Sequence, residues 1–375
     1  MSPAVAILLV GGAVAASCAL LGTFLVLRRL ALLGDAISHS VLPGIAIAFL
    51  LTGTRNTLPM LAGAGALGVL TVFLVEALGR SRRVREDASI GLVFPALFSI
   101  GVILVSRFAY HVDLDLDCVL YGEIAYAPLD LLYLGATVLG PKALWVNGAV
   151  LLLNAGFVIL FFKELKVTTF DPELSFALGF SPLLMHYALM SAVSITVVGA
   201  FESVGAILVL AMLVGPPAAA YMLTDRLERM LVLAVAAGIF CAVLGYYLAR
   251  WWDASIAGSM AVACGLVFTA AHLFSPRHGL LTRWLRHLKL RAATSEQLLL
   301  LHLQQDGRIV PLDRIRARFS WGRRRVSRVT DRLVQRGWVE AIEQGLRLTA
   351  AGAAALERSG QLPLRHRGEL TEDPA

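Results

Sequence analysis

Apolar runs of about 17 to 25 residues recur along this chain as far as residue 274, and each can cross roughly 30 Å of hydrocarbon as a single α-helix. They fall at 4–27, 35–51, 58–78, 89–107, 144–162, 185–201, 203–222, 230–250 and 256–274, which makes nine crossings, or eight if one is not a full span. A chain with 58% hydrophobic and 16% charged residues over its 375 positions has no water-soluble fold that buries all those runs, so the reading is an all-α polytopic membrane protein. The opening run has no Lys or Arg before it and continues well past Cys18, which argues for a first transmembrane helix and against a cleaved signal peptide.

Lys and Arg in short loops gather on the cytoplasmic side. That rule places Arg28–Arg29 and the basic stretch 80–86 inside, and the loop with His111, Asp113, Asp115 and Asp117 outside. The alternation holds if 129–143, interrupted by Gly140 and Pro141, is an external interfacial segment. The N-terminus is then outside, and 163–182, 224–229 and the C-terminus are inside. Four cysteines without a CxxC pair suggest neither a disulfide framework nor a zinc cluster.

Within this apolar background "LLGDAISHSVLPGIA" carries Asp35 and His39 four residues apart, on one side of a helix, with Ser38 beside them. A charged group in hydrocarbon is costly, by about 2.5 to 3.5 kcal/mol even on an insertion scale, so such residues face a protein interior or a water-filled path. One carboxylate and one imidazole form a partial ligand set for Mn²⁺, Zn²⁺ or Fe²⁺. The same Asp35, at the start of its span, also suits a helix cap, and both readings stand on spacing alone. The second span's early start puts the pair towards its inner end. Pro43 removes a backbone hydrogen bond to the His39 carbonyl, so it bends the helix or gates a path beside the pair. Pro216, in the "GPP" of a later span, has the same two readings, and Glu202 is the one acid in 186–223, placed at the turn between two spans.

"GDAISHSVLPGIAIAF", "DLDLDCVLYGEI", "FKELKVTTFDPELSFALGF" and "FESVGAILVLAMLVGPPAAAYMLTDR" occur in this order and resemble the integral-membrane permease family of ABC importers for manganese, zinc and iron(II). The resemblance implies that Asp35 and His39 touch the passing cation; Ser38, Pro43, Glu202 and Pro216 are candidates for the gate or pathway by their own placement, and Glu202 equally suits a position facing external water. Independently, Asp171 before Pro172 is a helix-start signal, and a short helix showing Leu174 and Phe176 needs a partner surface. The family makes Phe170, Asp171, Pro172, Glu173, Leu174, Phe176 and Gly179 the element that docks on an ATPase subunit. No GxxxxGK[S/T] stretch occurs, so this chain cradles no ATP and is not itself an enzyme. The implied partners are an ATPase chain, an extracellular or periplasmic metal-binding protein and a second permease, alike or related, in a bacterial cytoplasmic membrane. No cofactor is held permanently, the transported ion being Mn²⁺, Zn²⁺ or Fe²⁺.

The organisation expected is a permease domain over 1–275, a basic amphipathic linker over 276–292 suited to an anionic membrane surface, a soluble domain over 293–360 and a disordered tail over 361–375. From 290 on, 15 Arg face 10 acids, so this part carries most of the chain's formal +7. Thr294 or Ser295 can cap a first helix, a second follows Pro311, a third runs from about Arg323 to Arg336, and "GWVEAIEQGLRLT" makes a two-stranded wing. That order is a winged helix-turn-helix and resembles the DNA-binding domain of the iron-dependent, diphtheria-toxin-type repressors, without their second metal-binding and dimerisation domain. Arg323, Arg324, Arg325 and Arg328 are its candidates for phosphate or base contact, and a protein-interaction role fits the same fold. A membrane-tethered, metal-responsive transcriptional regulator is the rival reading of the whole chain; an ion-gradient carrier is disfavoured by the docking element.

Overall fold

In a computed structural model, residues 2–53, 57–79, 86–108, 124–134, 137–276, 279–306, 309–342 and 345–360 are described. The basic stretch 80–85, the loop with His111, Asp113, Asp115 and Asp117, most of the motif at 114–124 and the tail 361–375 lie outside them. The chain divides into two compact units, Met1–Leu280 and Leu281–Ala375.

The first unit is a helical bundle. Its long helices are α1 (Pro3–Leu27), α2 (Ala31–Thr52), α3 (Thr57–Gly79), α4 (Glu86–Phe108), α5 (Lys142–Leu160), α8 (Pro182–Val204), α9 (Ala206–Leu223), α10 (Leu227–Trp252) and α11 (Ile256–Phe274). All nine are apolar and long enough to cross a membrane, among the described residues. Two short helices, α6 (Phe162–Phe170) and α7 (Pro172–Ala177), interrupt the series. The segment expected to be external and interfacial contains a β-hairpin: β1 (Leu131–Leu134) pairs antiparallel with β2 (Thr137–Pro141), with a bulge between Leu132 and Tyr133. Backbone pairing satisfies the polar groups of a stretch that Gly140, at φ 101°, and Pro141 keep from being helical.

α1 and α2 are inner helices, 61% and 62% buried across their apolar windows, whereas α4 is a rim helix, 17% buried. Packing in such a bundle depends on close van der Waals approach, which small residues permit. A Cβ added at Gly22 would collide with the Leu213 carbonyl, so α1 and α9 touch backbone to backbone there. Gly44 and Gly63 do the same for α2 and α3, each occupying space where the other's Cβ would stand. Pro43 is buried, and α2 runs on through it to Thr52.

In the second unit α12 (Leu280–Asp306) is one unbroken helix. The expected cap at Thr294 or Ser295 is not used, since no Gly or Pro interrupts 280–306. Ser295 is buried inside the helix, where its hydroxyl accepts a hydrogen bond from Arg325 Nη2 at 2.7 Å. α13 (Leu312–Phe319) follows Pro311, a three-residue turn with Ser320 at φ 52° leads to α14 (Arg323–Gln335), and β3 (Val339–Ile342) pairs antiparallel with β4 (Gly345–Leu348) before α15 (Ala350–Gly360). Leu299, Leu303, Ile315, Val326, Leu333 and Leu346 form this unit's own apolar core.

Candidate metal path and coupling surface

After α1 ends, Arg29 adopts a left-handed φ of 60°, the chain reverses, and α2 begins at Ala31 with Leu30 before it. Asp35 therefore stands in the second turn of α2, and the capping reading falls because the free N–H groups lie one turn earlier. With that role gone, the carboxylate is free to face outward from the helix. Asp35 Oδ1 and His39 Nε2 are 3.4 Å apart, and their side chains are 36% and 37% exposed, which leaves both reachable by an ion.

The depth of the pair differs from expectation. Gly34 abuts Leu213, and Ile37 lies within 3.2 Å of a Cβ built on Gly68. Leu213 and Gly68 sit near the midpoints of α9 and α3, so the start of α2 is recessed and the pair lies beside the middle of its neighbours rather than at an end. Asp35 opens into a groove of about 490 Å³ whose other walls come from α9 (Ile207, Leu210, Val214) and α11 (Ala261, Cys264, Phe268). The lining is apolar, so the carboxylate is the charge an incoming cation meets there. On the far side the His39 ring lies 5.8 Å from that of Phe94. Ser38 is buried, and its hydroxyl donates to the Gly34 carbonyl at 2.8 Å, which occupies its proton and leaves it a minor partner of the pair.

Two side chains make half a coordination shell for a first-row cation. Among the described residues no group of three or more His, Cys, Asp or Glu is arranged around one point. A cation held by these two side chains would need water, or groups from another chain, to complete its shell. Glu202 lies in the last turn of α8, just before the turn at Gly205, and Pro216 is buried within α9.

The docking element is built as its residues dictate. The Asp171 carboxylate accepts from the Leu174 N–H at 2.9 Å and caps α7, Pro172 occupies the first turn, and Gly179 at φ 85° ends the segment. Ser175 is buried, whereas Phe170, Leu174 and Phe176 are exposed, Phe176 by 77%. Glu173 is exposed beside them. The flank is fastened to the bundle: Arg28, at the end of α1, donates to Thr168 at 2.9 Å and to Thr169 at 3.1 Å, and Lys166 pairs with Glu228 at 2.7 Å.

A second polar cluster went unnoticed in the sequence. Glu76, the only charge in α3, meets His186 Nε2 at 2.6 Å and accepts from the Tyr187 hydroxyl at 2.8 Å. It latches the end of α3 to the first turns of α8, the helix that follows α7. A lone acid in an apolar run was its signal, but its partners lie 110 residues away.

On α14 the arginines divide. Arg325 is engaged by Ser295 and stacks over Trp321 at 5.0 Å, and Arg332 and Arg336 pair with Glu296 at 3.7 and 2.7 Å. Arg323, Arg324 and Arg328 are exposed, Arg328 donating to the Arg324 carbonyl at 3.1 Å.

Comparison with known proteins yields consistent matches. The family model described as "ABC 3 transport family" matches residues 3–275. The manganese transport system membrane protein MntD of Bacillus subtilis is 48% identical over 285 residues, 76% of this chain and 96% of that one. The zinc transport system membrane protein TroD of Treponema pallidum is 45% identical over 354 residues, 93% of this chain and 96% of its own, a match long enough to reach into the second unit. Among solved structures, PsaBC from Streptococcus pneumoniae aligns with a TM-score of 0.62 at 28% identity, covering 76% of this chain and 94% of that one.

Proposed function

The chain belongs to the ABC 3 transport family, and from that premise we propose that it is the permease subunit of an ATP-driven importer of divalent transition-metal cations, Mn²⁺, Zn²⁺ or Fe²⁺. It works in the bacterial cytoplasmic membrane with a separate ATPase chain, an extracellular or periplasmic metal-binding protein and a second permease; its C-terminus is cytoplasmic. The observation that carries the reading is the Asp35–His39 pair, each side chain about a third exposed, with Asp35 opening into an apolar groove walled by α9 and α11. A carboxylate and an imidazole replace part of the cation's water shell, and release follows when the groove changes shape.

That change is driven from α7. Its exposed Phe170, Leu174 and Phe176 fit an apolar groove on the ATPase chain, and the Arg28 and Glu76 tethers carry its displacement into α1 and α3. Asp35→Asn and His39→Ala each reduce cation uptake by at least about tenfold while leaving ATPase co-purification intact. Normal uptake in both variants would remove the site.

Residues 293–360 form a winged-helix regulatory module in this proposal. Supporting it are the short α13–α14 turn and the β3–β4 hairpin that follows. Arg325, one of the four arginines expected to reach duplex DNA, is engaged within the unit, as are Arg332 and Arg336, which favours a protein-facing role. Binding of the 290–360 fragment to duplex DNA with a steep salt dependence would reverse that preference and support the tethered regulator.

A further inference from the structure

Three free cysteines, Cys18, Cys241 and Cys264, are buried within the bundle. Packing sets two of them face to face. α10 and α11 are consecutive helices joined by three residues and run antiparallel, and they come closest at Gly245, where an added Cβ would collide with the Met260 backbone. Cys241 lies one turn before Gly245 and Cys264 one turn after Met260, so the antiparallel register brings both to the same level of the seam. From α9, Met212 adds a thioether, with Cys264 Sγ 3.5 Å from Met212 Sδ. Cys264 also forms part of the groove wall that Asp35 faces.

We propose that Cys241, Cys264 and Met212 constitute a soft-cation site opening on the Asp35 groove, which takes monovalent copper and ions of its class. Thiolate and thioether ligands select such ions, whereas the Asp35–His39 oxygen and nitrogen suit Mn²⁺, Zn²⁺ and Fe²⁺. The groove is thus lined by one member of each of two ligand sets of opposite softness, Asp35 and Cys264. Each thiol that binds gives its proton to water in the groove, and the metal's oxidation state does not change. A soft ion drawn into the groove leaves the transport path for the sulfur set and holds α9, α10 and α11 together, which slows import. The ligand site stands on packing alone; its effect on import rests on the permease reading.

The test uses the full chain purified with its ATPase partner, in a Cys118→Ser background to remove the remaining thiol, and titrates it with silver(I). The wild-type sulfur set binds about one silver ion per chain. Cys241→Ala, Cys264→Ala and Met212→Leu each weaken binding by at least about tenfold, while Cys18→Ala and Asp35→Asn leave it unchanged. Thermal unfolding and ATPase co-elution establish that each variant is assembled, and Met212→Leu, nearly equal in volume, decides if the cysteine variants are not. In proteoliposomes silver(I) inhibits Mn²⁺ uptake by the complex, and Cys241→Ala resists it by a similar factor at unchanged basal uptake. Silver binding that survives in the sulfur variants, or that is lost in Asp35→Asn, overturns the proposal. Absent Mn²⁺ uptake with intact silver binding would instead count against the permease reading and leave the sulfur site standing.

Discussion

At the residue scale, the neighbours of Asp35 and His39 explain why a carboxylate and an imidazole are tolerated among helices this apolar. Each keeps about a third of its surface open, so the desolvation cost is partial, and the groove that Asp35 lines gives an ion access. The pair itself was legible from spacing, because i and i+4 share a helix face whatever the tertiary fold. Its depth was not: that follows from where α2 begins relative to α3 and α9, a long-range packing fact. Glu76 was equally hidden, since a single acid discloses nothing about a histidine and a tyrosine 110 residues on. The latch has a measurable consequence. Glu76→Gln lowers the stability of the purified complex by about 1 to 3 kcal/mol, read as thermal unfolding. Combined with His186→Gln it costs less than the two single changes summed, and full additivity would show that the two side chains do not act together.

At the element scale, the long helices were readable because apolar runs of membrane-spanning length admit one structure, a helix with its backbone bonded internally. The hairpin at 131–141 was not, because two short apolar stretches are compatible with several conformations. In α12 a permissible cap at Thr294 or Ser295 was overruled by a helix that continues through both, with Ser295 and Glu296 enlisted by Arg325 and Arg336. The α7 segment was legible in detail, since Asp171, Pro172 and Gly179 each have a specific backbone task. Asp171→Ala removes the cap at a cost of about 1 kcal/mol to α7, and it lowers transport-coupled ATP hydrolysis while the bundle's unfolding temperature stays close to wild type. Phe176→Asp, at a position exposed by 77%, abolishes ATPase co-purification without unfolding the permease. Retained co-purification in Phe176→Asp would move the docking surface elsewhere. Where helices touch through glycine, size is the constraint: Gly22→Leu pushes α1 from α9 and costs about 1 to 3 kcal/mol, seen as a lower unfolding temperature.

At the scale of the whole molecule, the chain forms two units with separate apolar cores. MntD is matched over 96% of its own length by 285 residues, so a relative of this permease has no room for a second unit of this size. Truncation after Leu280 is therefore expected to leave assembly with the ATPase and the cation uptake rate within about twofold of wild type, while altering how uptake responds to internal metal. A collapse of assembly would make the second unit part of the transporter's architecture. That the passing cation is held by Asp35 and His39 is tested by pulsed electron paramagnetic resonance of Mn²⁺ bound to the purified complex. Coupling to one imidazole nitrogen is expected in the wild type, lost in His39→Ala and kept in His186→Ala. Bound Mn²⁺ without nitrogen coupling, or with coupling that survives in His39→Ala, would contradict it.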